Sequence, residues 1–157
     1  MVRITHSSLI RSRNRNEAPQ QAPPDGLYSL FILRESGCPF FYRIYDAYDN
    51  YPDPAILGGF FIALSLFAKE VTTGQLETIT TGPCRYSFYS LHGGLLVICS
   101  AKNFNPLILE KIAKHIAQLF LTKYSDKLTK PLPAALCAPD LGQRINRIFE
   151  ETASELV

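Results

Sequence analysis

The chain contains no tryptophan and one methionine in 157 residues, and only 19% of its residues are charged. Charge of one sign is scarce as well: Lys and Arg exceed Asp and Glu by two. Four arginines, Arg3, Arg11, Arg13 and Arg15, precede Asp25 with Glu17 as their one acidic neighbour, so that stretch carries +3 and the remainder −1. A body of net −1 is not a basic platform for phosphates, which need clustered cations on the folded surface, so no specific nucleic-acid partner is expected. What is plentiful is apolar side chain, 46% of the chain, which excludes a wholly disordered or fibrous protein. At about 150 residues per domain, the length fits one domain with a tail.

Paired metal-ligand spacing is also missing. Cys38, Cys84, Cys99 and Cys137 are scattered, with no C-x-x-C pair and no histidine at ligand spacing, which argues against a zinc site or a disulfide framework. His6, His92 and His115 have no local partner, and no nucleophile stands beside a recognisable base. No catalytic residue, cofactor or metal is therefore expected, and the cysteines read as reduced thiols of a cytoplasmic protein.

Targeting signals are sparse. Residues 1–24 have no unbroken apolar h-region, Val2 offers no glycine for myristoylation, and the terminal Ser-Glu-Leu-Val has no prenylation cysteine. The longest apolar stretch, Ala55 to Ala68, would reach only about 20 Å as a helix, short of a ~30 Å hydrocarbon layer, and is expected to be a core helix. Any membrane association is expected to be indirect.

Residues 11–24 combine charge, amides and three prolines with almost nothing apolar, so residues 1–24 are expected to be a flexible basic tail and 25–157 the domain. Five strand-like runs follow. Leu27–Arg34 and Gly94–Ala101 are apolar on both alternating faces and belong at the centre of a sheet. Cys38–Asp46, with its proline and arginine, and the polar Gln75–Thr81 read as edges, and Cys84–Leu91 lies between. Asp53-Pro54 and Asn105-Pro106 each place a capping side chain before a proline at a helix start, and Asp140 with Gln143 forms a variant of the capping box. The helices run to about Thr72, about Tyr124 and about Leu156, and Lys130 to Pro133 is a linker. An order of strand, strand, helix, three strands, helix, helix predicts an α+β fold with a five-stranded antiparallel sheet ordered 2-1-5-4-3. One helix covers one face and two C-terminal helices cover the other.

This succession resembles the longin domain of the longin and roadblock superfamily. The segment Leu57-Gly58-Gly59-Phe60-Phe61-Ile62-Ala63-Leu64 through Phe67-Ala68-Lys69-Glu70-Val71, then Leu76-Glu77-Thr78-Ile79, is similar to stand-alone archaeal members. The helix ending Leu119-Phe120 and Tyr124-Ser125-Asp126-Lys127-Leu128 is similar to the corresponding longin helix. The Pro-rich Ala18 to Pro24 stands where a roadblock domain has a helix. The resemblance implies a non-enzymatic scaffold that pairs with itself or with another longin or roadblock protein and binds or regulates small GTPases in trafficking-type complexes. No heptad segment or membrane anchor follows, so membrane fusion is not implied. The alternative, a profilin-like actin-binding module, fits less well because of the missing tryptophan and the two helices after the fifth strand.

Two surfaces are candidates for contact. On a helical wheel Leu57, Phe60, Phe61, Leu64, Phe67, Ala68 and Val71 share one arc and are expected to cover the sheet, leaving Gly59, Ile62, Ala63 and Leu66 to face a homotypic or heterotypic partner. The loop from Tyr45 to Asp53 interleaves Tyr45, Tyr48 and Tyr51 with three aspartates. It reads either as a partner-binding edge or as tyrosines packed on the end of the sheet.

Overall fold

A computed structural model describes residues 24–45 and 52–155. Residues 1–23, including the basic stretch, lie outside the described residues, as do residues 46–51, with Tyr48 and Tyr51, and residues 156–157. The elements are β1 (Leu27–Arg34), β2 (Pro39–Ile44), α1 (Pro54–Thr72), β3 (Thr78–Thr81), β4 (Cys84–Leu91), β5 (Gly94–Ala101), α2 (Pro106–Leu121), α3 (Ala134–Cys137) and α4 (Leu141–Ser154). The sheet is antiparallel with order β2-β1-β5-β4-β3, the α+β arrangement expected from the strand patterns.

β1 and β5 are central because both of their faces are apolar. Leu30, Ile32, Leu96 and Ile98 point into a core closed by Ile112, Ile116 and Phe120 of α2 and Leu141, Ile145 and Ile148 of α4. The alternating partners Phe31, Leu33, Leu95 and Val97 point the other way and meet Phe88 and Phe61, the latter from α1. Burial of each such side chain contributes about 1.5–3 kcal/mol, so the α2 and α4 side holds most of the apolar stabilisation. β3 is mostly exposed and only four residues long, shorter than the expected Gln75–Thr81, and it pairs with Cys84–Ser87, the first half of β4. β2 is likewise trimmed to six residues.

Two helix starts follow the capping logic: Asp53 Oδ1 accepts from Ala55 N at 2.8 Å and Asn105 Oδ1 from Leu107 N at 2.9 Å. The third does not. Asp140 makes no capping hydrogen bond, because its carboxylate is occupied elsewhere. It accepts from Lys123 Nζ at 2.5 Å, Arg144 Nε at 2.7 Å and Tyr124 Oη at 2.7 Å. Those contacts hold its carboxyl well below the ordinary carboxylate range and fasten the end of α2 to the start of α4. The segment between them contains α3, a single turn where only linker was expected, and Arg34 Nη1 donates to the carbonyls of Leu128, at 2.9 Å, and Lys130. Its other terminal nitrogen donates to the Leu132 carbonyl.

Candidate protein-interaction site

α1 starts from a helix that is apolar nearly all round, so its composition does not say which side faces the sheet. The backbone decides. Gly37, in the β1–β2 turn with φ +89°, lies against Gly58 and Gly59: a Cβ on Gly58 would collide with the Gly37 carbonyl, and one on Gly37 with the Gly59 backbone. This contact rolls α1 so that Gly58 and Phe61 are its two buried residues, with Leu57 and Ile62 packed beside them. Phe61 enters an aromatic cluster, 5.8 Å edge-on to Phe31 and 5.8 Å edge-on to Phe88 by ring centroid.

That roll corrects the helical-wheel expectation. Phe60, Phe67 and Val71, expected to cover the sheet, are 57%, 65% and 64% exposed. Ile62, expected to face outward, is half-buried and packs inward. Gly59, Ala63 and Leu66 are exposed. α1 is therefore not a core helix but a half-covered one. Over its 19 residues it is long and apolar enough to cross a membrane by length and composition, with a mean hydropathy of 1.6, yet one side is committed to the sheet.

The residues that sequence reasoning missed are Ile56, Phe60, Phe67 and Val71. With Ala63 they fall within an arc of about 80° on the side of α1 away from Phe61. The 4-3-4-4 spacing was available as a signal, but its phase was hidden by apolar neighbours on every other side. Beside this strip a cleft of about 450 Å³ opens between α1 and the ends of β4 and β5, floored by Ile62, Leu66, Leu76, Phe88 and Leu95 with Lys69 at its margin.

The tyrosine loop contributes one described residue. Tyr45 leans on Phe149 of α4, with ring centroids 5.9 Å apart. Burial pushes its phenol up to about 12, against the opposing influence of Arg43. Arg43 lies over the Phe41 ring and donates to Asn146 Oδ1 at 2.6 Å, so this end of β2 is packed onto α4. Tyr45 is thereby placed as a packing residue.

Of the chemically reactive groups, Cys84 and Cys99 are buried and Cys38 is exposed. Burial and the neighbouring Cys84 push the Cys99 thiol up to about 12, which keeps it from acting as a thiolate nucleophile near neutral pH. Among the described residues no group of three His, Cys, Asp or Glu side chains could hold a metal ion. The chain matches no family model and no curated protein.

Proposed function

We propose that this chain is a non-catalytic protein-interaction scaffold of the longin type, one that works as half of a pair and binds or regulates small GTPases. The observation that carries the reading is the outward strip of α1: Ile56, Phe60, Phe67 and Val71, each more than half exposed, on a helix whose opposite side is fixed to the sheet. Contiguous exposed apolar surface of this kind marks contact sites, and no charge interrupts α1 from Pro54 to Ala68. The order of elements and the 2-1-5-4-3 sheet accord with the longin resemblance. The inert Cys99 thiol and an Asp140 carboxylate already engaged by Lys123, Arg144 and Tyr124 favour contact over chemistry. A fold by itself hosts many functions, so the strip rather than the topology bears the weight.

The test is binding of purified small GTPases, loaded with GTP analogue or GDP, to the immobilised full chain, with nucleotide exchange and hydrolysis rates measured alongside. Binding that depends on the nucleotide supports the reading. Absence of binding in both states across a panel that includes GTPases from the same source contradicts it.

A further inference from the structure

The cleft beside α1 runs across one end of the sheet. It joins Leu95 of β5, Phe88 of β4, Leu76 on the approach to β3 and Ile62 of α1, all buried or half-buried. Glu35, which follows β1, and Lys69, in the last turn of α1, also line it. Neither side chain has an ion-pair or hydrogen-bond partner among the described residues, and the same holds for Ser65, Gln75 and Ser90 along the same lining. We propose that this cleft binds a free dipeptide of two apolar residues, with its ammonium on Glu35 and its carboxylate on Lys69. The site lies beside the outward strip, and its ligand goes beyond the scaffold reading.

An apolar hollow rimmed by a few uncommitted polar groups is the usual form of a small-ligand site, and about 450 Å³ is within the usual size range. The two charges select the ligand. A fatty acid offers nothing to Glu35 and an alkylamine nothing to Lys69, whereas a zwitterion complements both. In a single amino acid both charges sit on one carbon. Glu35 and Lys69 belong to opposite ends of the cleft, because one ends the β1 side and the other lies just before the connection to β3. The sheet order puts three strand spacings of about 4.8 Å between β1 and β3, or ~14 Å in all. An extended dipeptide covers about 7 Å of that, and the reach of the Glu and Lys side chains covers the rest. Successive side chains of an extended segment point to opposite sides, so one meets the floor of Phe88 and Leu95 while the other meets Ile62 and Leu66 of α1. Ser65, Gln75 and Ser90 offer hydroxyl and amide groups to the peptide bond between them.

The test is calorimetric titration of the full chain with the dipeptide Leu-Leu, its N-acetyl form and its C-terminal amide. Leu-Leu should bind saturably with a Kd of about 0.2 mM, the scale that ligand efficiency sets for roughly 17 heavy atoms. Acetylating the amino end and amidating the carboxyl end should each weaken binding about fivefold, the upper end for an ion pair at an exposed margin. Glu35→Gln should erase the acetylation penalty and keep the amidation penalty, and Lys69→Gln should do the reverse, since each variant removes one member of one pair. Both side chains are exposed, so the variants should fold as the wild type does. Failure of Leu-Leu to bind saturably up to about 10 mM overturns the proposal. So do caps that cost nothing, and penalties that persist unchanged in both variants. Octanoate binding as tightly as Leu-Leu would assign the cleft to an apolar carboxylate and overturn it as well. The GTPase-binding test is independent of each of these outcomes.

Discussion

Gly58 of α1 and Gly37 of the β1–β2 turn meet backbone to backbone, with Gly37 in the left-handed region at φ +89° and no room for a Cβ on Gly58. This contact sets the roll of α1, and the roll decides which apolar residues are core and which are surface.

Gly58→Ala should therefore destabilise the protein by about 1–3 kcal/mol, through forced displacement of the turn or the helix. Gly59→Ala, next in sequence with open space at its Cβ position, should be neutral or stabilise by up to about 1 kcal/mol through helix propensity. Urea unfolding of both variants, at low protein concentration, checks the contrast.

Asp140→Asn should lower stability near neutrality, and the deficit should fade in acid. A carboxyl whose folded pKa is depressed contributes stability that is present above its unfolded value, about 3.9, and is lost as pH falls through the lower folded value. Thermal melts of wild type and variant should thus converge progressively below about pH 4. A gap that persists unchanged into strong acid would mean that the carboxylate's charge is not what fastens α2 to α4.

Arg34→Ala should cost about 2 kcal/mol, the scale of hydrogen bonds from a charged donor, because it frees the carbonyls of Leu128, Lys130 and Leu132. Hydrogen exchange should rise over residues 127–133 and stay unchanged in β3.

Native thiol titration at mildly alkaline pH should find Cys38 reacting fast and Cys84 and Cys99 silent until the protein unfolds, since both are buried and the Cys99 thiol is pushed up to about 12.

Much of this architecture was legible in the sequence. Strands apolar on both alternating faces had to lie centrally, which placed β1 and β5, and the polar Thr78 to Thr81 had to lie at an edge. The stripe Leu109, Ile112, Ala113, Ile116 and Phe120 has a clear helical phase, and all five residues are buried. α1 has no such phase: apolar residues surround it, so only a tertiary contact between two glycines far apart in sequence could orient it. For the same reason Ile62 and Phe60 exchanged places between expectation and structure. Asp140 misled differently. Its local pattern matched a cap, but Lys123 and Tyr124, distant in sequence from the helix it begins, offered its carboxylate more than backbone amides could.

The most direct measurement of the central claim is the thermal melt of Phe60→Glu/Phe67→Glu beside that of Phe61→Ala. If the outward strip is surface held open for a partner, the double variant melts close to wild type at a concentration where both are monomeric. Phe61→Ala, which empties the aromatic cluster on the sheet, should lose about 3–5 kcal/mol. A double variant that unfolds while Phe61→Ala stays stable would put Phe60 and Phe67 in the core and contradict the account.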